Sequence, residues 1–289
     1  MCTTAVSRKR RLARSCAITR REYSISMSDL LTLERSALGV YKLTIRRPEV
    51  RNALNEEAFH QLIDACHEVA ADDAARVLVL TGEGRAFSAG GDFESLQKML
   101  DGDRAYAVNE LENAGAGVLA LARLEVPTVA ALNGDAFGGG AAVALSTDYR
   151  VMSDSARLGF VFSRLGISGA DTGASWWLSR IVGPSRALEI LTFGKVFDSS
   201  EALEAGLVTE VAPAESFEKS VSALVERLAA LAPLAVRGNK RALLGLDDRT
   251  LEEHLNLEAQ IQADCIRSAD FREGLDAFQN KRPAEFKGK

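Results

Sequence analysis

The sequence predicts an α/β fold with a largely parallel sheet and a helical C-terminal part. Three observations carry that prediction. From Asp29 onward short apolar runs alternate with longer segments of helical spacing, two of the runs end in glycine-bearing turns, and beyond Ser216 the strand signal gives way to helical patterns. No Gly/Ser linker or low-complexity block divides the body. The expected organisation is a basic leader at 1–26, an α/β core at 27–215 and a helical region at 216–289.

Val40–Ile45 (VYKLTI) alternates as a half-buried strand, and the Arg47-Pro48 step ends it. Asn55 then suits a helix N-cap, with Glu56 and Glu57 in the first turn and Ala58, Leu62, Ala65 and Val69 at helical spacing. Arg76–Leu80 reads as a buried strand closed by Gly82 and Gly84. A second round predicts a helix near Arg104–Leu124, a strand at Val129–Leu132, a small-residue helix after Gly138 and a strand at Tyr149–Ser153. Helices follow around Thr172–Ile181 and Ser185–Thr192, then at Ser216–Ala230, Pro233–Leu244, Leu251–Cys265 and Ser268–Asn280. These last four have several apolar faces and little core of their own, so a homo-oligomer is expected.

Charge narrows the partners. Residues 1–26 hold seven basic side chains (Arg8, Lys9, Arg10, Arg11, Arg14, Arg20, Arg21) against Glu22 alone. The remaining chain carries a formal charge of −11. A body so acidic lacks the basic face that phosphate neutralisation requires, so nucleic acid is not an expected partner. The leader fits either a mitochondrial transit peptide or a start placed before Met27. The Ala-rich, low-aromatic body favours the second and a cytoplasmic location, with the mitochondrial matrix as the alternative. No window has the roughly 18 uninterrupted apolar residues of a membrane span. Cys2, Cys16, Cys66 and Cys265 form no C-x-x-C pair, and His60 and His67 have no third ligand nearby, so no metal site is expected.

Two turns carry the chemistry. Arg85-Ala86-Phe87-Ser88-Ala89-Gly90-Gly91-Asp92 follows the first buried strand and opens a helix at Phe93. Asn133-Gly134-Asp135-Ala136-Phe137-Gly138-Gly139-Gly140 follows the next strand and opens another. Strand, tight turn and helix together present free backbone N–H groups, because the first donors of a helix have no internal partner. Three successive glycines at a helix start cost backbone entropy, so another group must approach that backbone closely. Both turns are also compatible with ordinary packing, with Asp92 as a helix cap. Neither is a phosphate-binding loop, and Ser88 is in no G-x-S-x-G elbow.

Taken together the motifs resemble the crotonase, or enoyl-CoA hydratase/isomerase, superfamily. Arg47-Pro48-x-x-Arg51-Asn52-Ala53-Leu54, the two glycine turns, Arg180-Ile-Val-Gly183, Ala202-x-x-x-Gly206-Leu207-Val208 and Glu273-Gly274-x-x-Ala277-Phe278-x-x-Lys281-Arg282 all occur in register. The resemblance implies a spiral of β–β–α turns followed by helices that build a trimer, often paired into a hexamer. It implies an acyl-CoA substrate whose thioester oxygen is held by the N–H groups of Ala89 and Gly139, with coenzyme A entering as part of the substrate and no other cofactor. Arg51, the Ala86, Phe87 and Ala89 backbone, Gly90, Gly91, Asp92, Phe278 and Lys281 are the positions implied to meet substrate or CoA, with Lys281 reaching from a neighbouring subunit.

One departure matters. The two glutamates with which family hydratases activate water fall at Ala142 and Phe162, and neither side chain can transfer a proton. Asp171 aligns with an aspartate that acts on substrate in some members, in an apolar pocket expected beside Phe162 and Trp176 or Trp177. Asp171 equally suits an N-cap for the helix that follows. Asp135 is the other nearby carboxylate. The expected function is isomerisation or hydration of an enoyl-CoA through a thioester enolate. Hydrolytic C–C cleavage of a β-oxoacyl-CoA, or CoA-thioester binding without chemistry, are the alternatives.

Overall fold

A computed structural model of the chain describes residues 23–25 and 30–289. The expected leader lies outside the described residues except for a three-residue strand at its end. Eleven strands and eleven α-helices follow one another. The strands are β1 (Tyr23–Ile25), β2 (Leu31–Arg35), β3 (Val40–Ile45), β4 (Val77–Gly82), β5 (Ala86–Ser88), β6 (Thr128–Leu132), β7 (Asp135–Phe137), β8 (Tyr149–Ser153), β9 (Leu158–Gly159), β10 (Val196–Phe197) and β11 (Glu210–Ala212). The helices are α1 (Glu56–Ala71), α2 (Phe93–Asp101), α3 (Arg104–Arg123), α4 (Gly139–Leu145), α5 (Ala174–Val182), α6 (Pro184–Phe193), α7 (Ser199–Glu204), α8 (Phe217–Ala229), α9 (Pro233–Leu243), α10 (Leu251–Arg267) and α11 (Ala269–Gln279).

The strands form two sheets. The larger runs β1-β2-β3-β4-β6-β8-β11, antiparallel across its first three strands and parallel from β3 onward. The smaller runs β10-β9-β7-β5. A long strand of the first sheet (β4, β6 or β8) is each time followed by a short strand of the second (β5, β7 or β9) and then by helix. This is the expected spiral of β–β–α turns.

Alternation within the long strands builds two cores at once, because successive side chains point to opposite faces. Leu78, Leu80, Ala130, Leu132 and Met152 face the interior of the spiral. Val77, Val79, Val129, Ala131 and Val151 face outward and pack under Phe217, Val221, Val225 and Leu228 of α8. Burying each of those α8 side chains contributes about 1.5–3 kcal/mol relative to exposure. The helix at 217–229 therefore belongs to the core, a role its sequence pattern had not distinguished from the helices after it. By contrast α10 buries none of its residues.

Helix starts follow the expected chemistry. Asn55 accepts from the Ala58 N–H at 2.9 Å and caps α1. The helix expected from Thr172 begins later, at Ala174, because Thr172 and Gly173 both have positive φ, at 50° and 81°. Asp148 fastens α9 to the sheet. Its Oδ2 accepts from the Thr128 N–H at 2.8 Å, the Thr128 hydroxyl at 2.9 Å and the Lys240 ammonium at 2.7 Å. Burial pulls Lys240 below its ordinary pKa, and the Asp148 charge opposes that pull. Asp148→Ala strips a largely buried ammonium of its counter-ion and leaves two Thr128 donors unpaired. It is expected to cost about 2–3 kcal/mol, read as a lower urea midpoint at unchanged slope.

Candidate active site

The first glycine turn is held from behind by Asn52, which is fully buried. Its Oδ1 accepts from the Arg47 N–H at 2.9 Å, and its Nδ2 donates to the carbonyls of Glu83 and Ala86 at 2.9 and 2.7 Å. Arg51 and Asn52 are both left-handed, at φ 55° and 56°. That bend turns the Asn52 carbonyl toward the Ser88 hydroxyl, which donates to it at 2.8 Å and accepts from the Gly90 N–H at 3.2 Å. Leu54 then pairs across the turn, donating to the Gly90 carbonyl at 2.7 Å and accepting from Asp92 N–H at 2.9 Å.

These bonds decide which N–H groups are free. The Ala89 N–H donates to the Arg51 carbonyl at 2.9 Å, so it is not available to a ligand, contrary to expectation. The bridge to Leu54 uses the atoms on either side of Gly91 and spares its own N–H, which has no partner among the described residues. The available donor of this turn is thus Gly91. Gly139 is the first residue of α4, and its N–H likewise has no partner inside the helix or among the described residues.

The three glycines of the second turn have different reasons. Gly138 has φ 52° and ψ −123°, outside the range of other residues. A methyl group on Gly140 would lie 2.6 Å from Cβ of Ser88, so Gly140 lets the two turns touch. A methyl on Gly139 would meet only ordinary contacts, the Thr172 hydroxyl at 3.7 Å and the Gly91 nitrogen at 3.8 Å. Protein packing alone leaves Gly139 unexplained, and its open side faces the other free donor.

A narrow cavity of about 70 Å³ lies against this pair. Gly91, Gly139, Asp171 and Thr172 line it together with an apolar wall that includes Leu54, Phe59, Leu96, Met99 and Ala114. Phe162 and Ala142 are core residues, Trp176 is exposed beneath the Arg180 guanidinium at 3.3 Å, and Trp177 lies against Gly173; none of the three expected aromatic side chains lines the cavity. Asp171 caps no helix with its side chain: the N-cap of α5 is Gly173. Burial raises the Asp171 pKa, with hydrogen bonding from Thr172 acting the other way.

Other expected positions are occupied structurally. Asp92 caps α2 through the Glu94 and Ser95 N–H groups, at 2.9 and 3.3 Å, and pairs with the Arg47 guanidinium at 2.9 Å. Asp135 is held by Arg157 at 2.6 Å. Phe87 is wholly buried, and the Ala86 carbonyl is taken by Asn52. The Arg51 side chain is exposed beside the turn, while Phe278 (84% exposed) and Lys281 lie at the C-terminal end and do not line the cavity. Among the described residues no group of His, Cys, Asp and Glu could hold a metal, and no helix is long and apolar enough to cross a membrane. Cys66 is buried, which pushes its thiol up to about 12.

One carboxylate escaped the sequence reading. Glu110 of α3 is only 9% exposed and lines the same cavity as Asp171. The signal was present: Glu110 shares its helix face with the buried Ala114, Gly117, Val118 and Leu121.

A β–β–α spiral whose two glycine turns converge is the architecture of the crotonases, and the chain belongs to the enoyl-CoA hydratase/isomerase family, whose pattern matches residues 35–289. Among its relatives is the 1,2-epoxyphenylacetyl-CoA isomerase of Escherichia coli (strain K12), 35% identical over 87% of this chain and 96% of the relative. The trans-2-decenoyl-[acyl-carrier-protein] isomerase of Streptococcus mutans is 30% identical over 87% and 95%. The crystal structure of an enoyl-CoA hydratase from Bacillus anthracis superposes with a TM-score of 0.84, at 29% identity over 90% of this chain and all of that one.

The glycine geometry separates packing from ligand contact. Gly139→Ala keeps its N–H but sets a methyl 3.8 Å from the Gly91 nitrogen; it is expected to leave stability within about 0.5 kcal/mol of the parent while lowering acyl-CoA turnover by roughly 100-fold by blocking a ligand's approach to the two N–H groups. Gly140→Ala drives a methyl into Ser88 and is expected to destabilise by about 1–3 kcal/mol. Urea midpoints and turnover measured on both variants check the contrast.

Proposed function

We propose that this enzyme shifts the double bond of an enoyl-CoA, with Gly91 and Gly139 holding the thioester oxygen and Asp171 moving the proton. One observation carries the proposal: a partly desolvated carboxylate and two unpartnered N–H groups line one narrow cavity, against a wall that includes Leu54, Phe59, Leu96, Met99 and Ala114. As Asp171 takes a proton from carbon next to the thioester, the C–H electron pair becomes an enolate. The two donors face the oxygen where that charge collects, and each can contribute about 3 kcal/mol in a dry site. Return of a proton two carbons further on completes the migration.

Isomerisation is favoured over hydration because Ala142 and Phe162 stand where water-activating carboxylates would be, and both are buried among apolar side chains. Two relatives are named isomerases. The exposed Arg51 beside the first turn is assigned to the CoA phosphates, and Phe278 and Lys281 to the CoA of a neighbouring copy. Assembly into a homotrimer or hexamer rests on the unburied α10, with Leu251 and Leu255 73% and 54% exposed.

Asp171→Asn is expected to lower turnover by roughly 10²–10⁴-fold. The base works ionised and its pKa is raised, so activity should climb with pH through a midpoint above the ordinary carboxylate range, and that limb should vanish in the variant. Products from 2-enoyl-, 3-enoyl- and β-oxoacyl-CoA are read by mass spectrometry, where hydration adds the mass of one water and isomerisation adds nothing. Full turnover by Asp171→Asn on every accepted substrate would show that the base has been misassigned.

A further inference from the structure

Glu110 is hard to explain as a structural residue. It projects from the apolar face of α3 into the cavity shared by Asp171, Gly91 and Gly139, and it is 9% exposed. Among the described residues it makes no salt bridge; Lys98 of α2 is paired with Glu94 at 2.8 Å instead. Its neighbour in the cavity lining is a second carboxyl, that of Glu56 in the first turn of α1, whose charge acts against its ionisation. His60, one turn along α1, and Lys98 act on it only as more distant charges. Asp92, which lines the same cavity, caps α2 and pairs with Arg47. Burial and the like charge of Glu56 both push the Glu110 pKa above the ordinary carboxylate value and favour the neutral form. Such a group costs stability and gains nothing from packing that an apolar residue would not supply.

We infer that Glu110 is a second catalytic residue, the acid that delivers the proton completing double-bond migration while Asp171 removes the first. The inference rests on the reading of Asp171 as the base. For a 3-enoyl thioester, the Asp171 carboxylate takes a proton from C2, and the C2–H electrons pass into a dienolate whose oxygen lies between the N–H groups of Gly91 and Gly139. The Glu110 O–H bond breaks, its proton joins C4, and the dienolate electrons form the new C4–H bond and leave the double bond between C2 and C3. Asp171 is then protonated and Glu110 ionised. One proton passes from Asp171 to Glu110 through solvent at Glu56, which is exposed, and the enzyme returns to its starting state with no net proton gained or lost.

The division of labour is tested with 3-hexenoyl-CoA in deuterated water. Deuterium at C4 of the product of the parent enzyme supports delivery by a solvent-exchanged acid, whereas protium at C4 means Asp171 carries one proton across and overturns the proposal without any variant. Glu110→Gln keeps the shape and removes the acid. It is expected to slow isomerisation at least 100-fold while C2 exchange into the substrate falls far less. Unchanged isomerisation, or equal loss of exchange and isomerisation in a variant of native circular dichroism, overturns the proposal. Asp171→Asn should abolish C2 exchange; if exchange survives there, the assignment of the base fails separately, whatever Glu110→Gln shows.

Discussion

The site depends on the fully buried amide of Asn52 and the left-handed bend it terminates. A buried amide can make four hydrogen bonds, and this one spends three of them on backbone groups of the 47–52 bend and of the β4–β5 connection. Each bond is worth only about 1 kcal/mol net, but the geometry they impose is what matters. With Asn52 in place the Arg51 carbonyl meets Ala89, Leu54 lies along the turn, and the remaining donor is the one at Gly91. A free N–H is here defined by subtraction: it is the group the rest of the backbone leaves unsatisfied.

The same account shows what was legible in the sequence. The long strands and the capped helices follow from local signals, the alternation of Val40–Ile45 and the Asn55 cap among them. The short strands β5, β7 and β9 do not, because two or three residues are too few to show a period of two. Gly139 was legible because a glycine run before a helix demands a reason. The choice between Ala89 and Gly91 was not, since the carbonyl that consumes Ala89 comes from a bend far upstream and only the fold brings it there.

Asp171 and Glu110 show the two ways a carboxylate can hide. Asp171 stands before a small-residue helix start and reads equally as a cap or as a base. Only the positive φ of Thr172 and Gly173 removes the first option by moving the helix start away from it. Glu110 sits in a helix whose apolar face is made of small residues, so the face is faint and its one acid passes for a solvated position. Both pKa values are raised, and in both the largest cause is burial.

The contact between Ser88 and Gly140 joins turns from consecutive rounds of the spiral, and Thr172 from the following round lies against Gly139. The facing N–H groups of Gly91 and Gly139 therefore come together only after three rounds have stacked in register, and contacts so distant along the chain form late because loop closure precedes them. A chain with any one round unseated lacks the site altogether. A ligand that fits the pair recognises the finished fold alone, so substrate binding draws the population toward completely folded molecules by mass action, and ligand affinity becomes a measure of folding fidelity as well as of chemistry.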